Sequence, residues 1–159
     1  MKLLIAGLAL LAAGPFRCTQ KEALRSIDKV SLSLHQYPTR DVLRYDVDSA
    51  GIEVHLANSG TGSDSLLYRK PAGAALDAGR QGLFRFTKET YANKCLQDGQ
   101  VMTLAFHARD SAVRTVRFEN YYSDDLGKLV SYINSQVDST YIIQYDKAAL
   151  LRAMGDCKQ

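Results

Sequence analysis

Apolar and polar residues alternate with a period of two along much of the chain beyond residue 28, and this pattern predicts half-buried β-strands. Val30, Leu32 and Leu34 alternate with Lys29, Ser31, Ser33 and His35. After a turn at Tyr37-Pro38-Thr39-Arg40, Leu43, Tyr45 and Val47 alternate with Val42, Arg44 and Asp46. A second turn at Asp48-Ser49-Ala50-Gly51 leads to Ile52, Val54 and Leu56, set against Glu53 and His55. Turn residues between alternating runs are the mark of antiparallel hairpins, so three antiparallel strands are expected here. Asn58 to Ser65, rich in Ser and Gly, predicts a loop and the most mobile segment, with a short strand from Leu66 to Arg69 behind it.

The period then changes. Residues 74–94 lean helical, with Thr87 to Cys95 the firmer part, although Gly79 and Gly82 each cost a helix about 1 kcal/mol relative to Ala. Met102, Leu104 and Phe106 share one face of a strand over Val101 to His107, and a turn at Ala108 to Ser111 returns the chain through Ala112 to Asn120 as a second hairpin. Ser123 is a suitable N-cap, followed by Asp124 and Asp125 at the positive end of the helix dipole. Leu126, Leu129, Val130, Ile133 and Val137 form one helical stripe that should pack on the sheet. Thr140 to Tyr145 predicts a last strand; Asp146 should cap a short helix that buries Leu150, Leu151 and Met154 and stops at Gly155. The expected fold is α+β, an antiparallel sheet of five to seven strands with helices packed on one face.

Residues 2–18 carry a different signal. Lys2 precedes an uncharged apolar run from Leu3 to Ala13 that breaks at Gly14-Pro15, the layout of an export leader. The run falls short of the roughly 20 apolar residues that span a bilayer as a helix. Cys18 resembles a lipoprotein cysteine, while Pro15-Phe16-Arg17 departs from the small apolar residues that should precede one, so lipidation, an ordinary cut and an uncut leader all stay open. Residues 1–18 are thus expected to be the leader and residues 19–159 a single α+β domain, with a possible capping box at Thr19 and Glu22. Export to the periplasm, cell envelope or medium follows, and contact with a membrane only through the leader or a lipid anchor.

This arrangement along the chain, three strands, a middle helical region, a hairpin and an amphipathic helix, resembles small secreted bacterial domains of unknown function, especially those of Bacteroidota. Val30 to Leu34, Tyr45 to Leu56, and Val116 to Ile133 with Tyr121-Tyr122 before the helix carry the likeness. This chain departs from that pattern in lacking paired cysteines after the first strand. The resemblance implies a fold and a compartment, and no activity.

Of 20 basic residues, Lys2 and Arg17 lie in the leader, which leaves 18 against 17 acidic ones. With no Lys/Arg cluster, zinc-finger spacing or aromatic RNA-binding motif, nucleic acid is not an expected partner. Three cysteines in an exported protein need an explanation, because paired thiols are the rule there. With Cys18 lost or acylated, Cys95 and Cys157 remain as a disulfide pair; two buried thiols are the alternative.

Candidate chemistry is sparse. His35, His55 and His107 each fall on the polar face of a predicted strand, and on one sheet they would point to the same side, where three imidazoles with an open position suit zinc or copper. Three unrelated surface histidines are the competing reading. Asp46 to Gly51 starts like a calcium loop, but Ala50 and Ala57 stand where oxygen ligands belong, so it reads as a hairpin turn. Gly60-Thr61-Gly62-Ser63 lacks the lysine of a phosphate loop. Cys95 with His107 is a conceivable nucleophile and base, which a disulfide would preclude. Tyr121, Tyr122 and Tyr132, with Phe118 nearby, form either an aromatic recognition patch or ordinary packing. No cofactor is implied. These features point to a non-catalytic binding or interaction module whose partner is another envelope or secreted protein. A small hydrolase or metal-dependent enzyme on the polar sheet face is the alternative, and a purely structural lipoprotein a third.

Overall fold

The computed structural model describes residues 27–35, 38–71, 85–96, 99–109 and 111–156. The leader, the capping box, most of the middle region and Cys157 lie outside them. Among the described residues seven strands form one sheet: β1 (Lys29–His35), β2 (Asp41–Asp48), β3 (Gly51–Asn58), β4 (Ser63–Pro71), β5 (Thr90–Ala92), β6 (Val101–Ala108) and β7 (Ser111–Glu119), in the order β4-β3-β2-β1-β6-β7-β5. Two helices follow, α1 (Asp124–Gln136) and α2 (Lys147–Gly155).

Alternation explains how this sheet builds its core. Because side chains change sides at every residue, the register lines up apolar positions across strands. Val116, Leu104, Leu32, Tyr45, Val54 and Tyr68 form one row across six strands. Phe106, Val30, Val47 and Ile52 form a second. The helical stripe Leu126, Leu129, Val130 and Ile133 is buried in the same core as these rows. One sheet face is therefore the core face, and Lys29, Ser31, Ser33 and His35 mark the other.

The sheet is mixed rather than wholly antiparallel, and the exception is a segment expected to be helical. Within Thr87 to Cys95 the chain forms β5, which runs parallel to β7 with Tyr91 opposite Phe118. Tertiary contact outweighs local helical preference: the Tyr91 ring stacks on Phe118 at 5.3 Å, and its hydroxyl accepts from the Thr87 and Lys88 amides. Those bonds fold the segment back on itself and leave no helical ladder to form.

Thr140 to Tyr145 is likewise not a strand. A 3-10 turn (Ser139–Tyr141) opens it. Both backbone polar groups of Ile143 are then taken by one side chain, since Asn134 Nδ2 donates to the Ile143 carbonyl at 3.0 Å and its Oδ1 accepts from the Ile143 amide at 2.8 Å. A residue clamped this way has nothing left for a β-ladder. Ser123 does sit at the N-cap of α1, but its side chain makes no capping bond; its amide donates to the Tyr145 hydroxyl at 2.9 Å. In α2, capped by Asp146 as expected, no residue is buried, and Leu151 is 44% exposed. The loop predicted at Asn58 to Ser65 is a compact turn instead: Asn58 Oδ1 accepts from the Gly60 and Thr61 amides, and β4 starts at Ser63. Gly62 supplies the positive φ of +70° that this turn needs.

Tyr45 ties the sheet to the segment after α1, its hydroxyl donating to the Tyr141 carbonyl at 2.9 Å. Burial raises the pKa of this phenol to about 12. Ionisation is thus resisted in the folded state, so above pH 10 the unfolded chain loses a proton first and stability falls as pH rises toward 12. Tyr45→Phe should lower stability at pH 7 by about 1 kcal/mol through the lost bond and weaken the alkaline fall. Urea unfolding at pH 7 and pH 11 checks both.

Candidate functional site

The sheet face opposite the core presents a strip of charge across β2, β3 and β4. Arg44 Nε lies 3.1 Å from Asp46 and its Nη2 2.8 Å from Asp64. His55 stands between two carboxylates, with Nδ1 3.2 Å from Asp64 and Nε2 3.0 Å from Glu53, and Arg69 completes the strip at 2.7 Å from Glu53. Strand alternation puts all of these on one face, and cross-strand neighbours Arg44 and His55 put the two halves in reach. Each charge alters the next. The hydrogen bond from His55 lowers the Glu53 pKa, that from Arg44 lowers the Asp64 pKa, and although burial works against the Arg44 charge, Asp64 and Asp46 raise its pKa. The signal in the sequence was the polar half of the alternation, but the partners are fixed only by register.

On the same face, Ser31 Oγ lies 3.0 Å from His107 Nε2, and Asp46 faces Ser31 across the β1–β2 ladder. Ser31 is only 5% exposed. Among the described residues His107 Nδ1 and Asp46 Oδ1 are buried without a hydrogen-bond partner, so no carboxylate orients the imidazole as a nucleophile–base pair requires.

His35, His55 and His107 do share this open face, as the alternation suggests, yet the structure does not bring them together. His35 and His107 sit at opposite ends of the β1–β6 ladder, opposite Val101 and Lys29, roughly 20 Å apart at the strand rise. Among the described residues no group of three His, Cys, Asp or Glu is placed to hold a metal ion. His35 instead meets Thr103 Oγ1 at 3.3 Å. Burial lowers the pKa of both His35 and His107, with Arg117 and Lys29 adding to it respectively. A lowered folded pKa means the unfolded chain takes up protons first as pH falls below 6.5. Stability should therefore be full above pH 6.5 and decline below it until the folded values are passed. Thermal unfolding from pH 7.5 to 5 should show this decline, reduced in a His107→Gln variant.

The three tyrosines are engaged in packing. Tyr121 and Tyr132 lie partly buried against the core, with Tyr121 tilted on Tyr91 at 5.4 Å. Tyr122 stacks on Tyr145 at 5.3 Å and carries Lys147 over its ring at 5.1 Å, which fastens α2 to the start of α1. Cys95 follows β5 beside the end of β7, while His107 stands at the far end of β6, so the two are no nucleophile and base. An open cavity of about 650 Å³ beside β7, lined by Thr87, Lys88, Glu89 and residues 112–115, includes no histidine.

The sheet's outer edge is a feature that pattern reading missed. β4 is nine residues long, pairs among the described residues with β3 alone, and is exposed at every position but Tyr68. Leu66 and Leu67 are 47% and 41% exposed. Leu67 is an extra residue, since Val54 pairs with Tyr68 and His55 with Leu66. No helix among the described residues is long and apolar enough to cross a membrane. Comparison with family models, with curated proteins and with solved structures finds no match for this chain.

Proposed function

We propose that this chain is an exported, non-catalytic interaction module of the cell envelope that binds an exported protein in extended conformation along β4. The observation that carries this reading is the edge itself: a nine-residue strand that pairs, among the described residues, with β3 alone, with two exposed leucines at its middle and the Leu67 carbonyl 3.5 Å from the Tyr141 hydroxyl. Such an edge supplies a row of backbone donors and acceptors to an incoming strand, and the leucines add apolar contact. The charge strip from Arg44 to Arg69 borders it and favours a partner of matching charge. Export rests on the leader-like pattern of residues 2–18. A hydrolase centred on Ser31 and His107 is less well supported, because the hydroxyl is closed to substrate.

Random ten-residue peptides displayed on a surface, selected against the purified protein, test the edge. Selected peptides should slow amide exchange in Ser63–Pro71 and bind a Leu66→Lys variant at least about ten-fold more weakly, a loss of about 1.4 kcal/mol. Selection of peptides that protect another region, or of none, would remove the reading.

A further inference from the structure

We infer that the partner of the β4 edge is a second copy of this chain, paired antiparallel about a two-fold axis between Leu66 and Leu67. The inference rests on the binding reading above and adds the partner's identity.

Register carries the argument. When a strand pairs antiparallel with its own copy, residues opposite one another must lie on the same sheet face, which in a regular strand restricts pairs to even separations. The extra residue Leu67 changes that. Asp64 lies opposite Ala57 and Arg69 opposite Glu53, so both stand on the open face although they are an odd number of residues apart. Ser65 and Tyr68, opposite Leu56 and Val54, both stand on the core face, as do Ser63 and Lys70. One register satisfies all three pairs at once. It sets Asp64 against Arg69, Ser65 against Tyr68 and Ser63 against Lys70, with Leu66 against Leu67 on either side of the axis.

Charge agrees with this register and disfavours others. Asp64 meets Arg69 of the second copy twice, once on each side of the axis, and no like charges stand opposite. The ion-pair strip of each protomer would continue through these contacts, from Arg44 and Asp64 to Arg69 and Glu53 of the second copy. Parallel pairing in register would instead set Arg69 and Lys70 beside their own copies, which is repulsive. Setting Lys70 opposite Asp64 would point the two side chains to different faces. The charges and bulge that guard an edge against indiscriminate pairing thus favour this self-complementary arrangement, and a two-fold contact closes on itself without forming a fibre.

Sedimentation equilibrium of the purified full chain, from about 1 to 200 µM to span dissociation constants in the micromolar range, is the test. A monomer–dimer equilibrium is expected, with amide exchange in β4 slowing as concentration rises. Leu66→Lys, at an exposed position, should raise the dissociation constant at least about ten-fold. Arg69→Glu should do the same by facing Asp64, whereas Arg69→Lys and the α2 variant Leu151→Lys should leave it unchanged. A dimer indifferent to both Leu66→Lys and Arg69→Glu would overturn the inference. A monomer whose β4 still takes selected peptides would overturn it while sparing the binding reading, and a monomer that takes none would overturn both.

Discussion

Phe118→Ala is expected to destabilise the protein by about 3–5 kcal/mol, the range for emptying a buried aromatic site. Phe118 is fully buried, faces Met102 across the β6–β7 ladder and holds an aromatic cluster together. Its ring packs edge-on against Phe86 at 5.2 Å and stacks on Tyr91 at 5.3 Å with 9° between planes. Each such pair is worth about 0.5–1.5 kcal/mol beyond its buried area. Since domains of this size have a total stability of about 5–15 kcal/mol, the variant should stand close to unfolding. β5 should loosen first, because among the described residues its three residues pair only with Arg117–Glu119 and Tyr91 is its anchor. Urea titration gives the loss in stability, and amide exchange at Tyr91 and Ala92 the local effect. Phe118→Leu, which keeps apolar volume but not the stacking, should lose clearly less. A loss below about 1 kcal/mol for the alanine variant, the scale of an ordinary surface change, would show that Phe118 does not organise this end of the sheet.

The second large effect concerns the proposed bond between Cys95 and Cys157. Reduction, or Cys157→Ser, should cost up to about 4 kcal/mol, the chain-entropy value for a closed loop of about 60 residues. Asn93 Nδ2, two residues before Cys95, donates to the Ala153 carbonyl at 3.1 Å and brings that turn to the last turn of α2. The described structure shows why the bond would matter. α2 buries no residue, so it is held by Asn93, by the Tyr122 amide on Met154 Sδ at 3.4 Å and by Lys147, which lies over the Tyr122 ring and makes an exposed ion pair with Asp124. Exposed ion pairs contribute little, and without a covalent tie α2 should be the first element to exchange. Thiol counting after denaturation of the oxidised protein checks the bond directly. Two reactive thiols at Cys95 and Cys157 would show that α2 is held by these contacts alone.

Legibility differed sharply between elements. The strands from Lys29 to Asn58 and the hairpin from Val101 to Glu119 were plain in the alternation because each buries one face. The α1 stripe was plain for the same reason, at helical period. Thr90–Ala92 and Thr140–Tyr145 depart from their local pattern because their conformations answer to partners distant in sequence, Phe118 in one case and Asn134 in the other. At the candidate site, the alternation placed the three histidines on the open face, but their spacing along and across strands depends on the order of strands, which periodicity does not contain.

The amino-acid order by itself therefore determined most of the residues that turn inward, where most strands and α1 run, and where the turn at Asp48 interrupts them, since burial period and local side-chain bonds act over a few residues. Only the tertiary structure decided that β1 lies between β2 and β6, that β5 runs parallel to β7, and that β4 stands last in the sheet among the described strands. It also decided the charge strip, because Arg44, His55 and Asp64 belong to three different strands and meet only through register. A one-residue bulge at Leu67 puts Asp64 and Arg69 on the same face. Side-chain period is local, whereas strand order and register follow from how all the apolar faces close on one core.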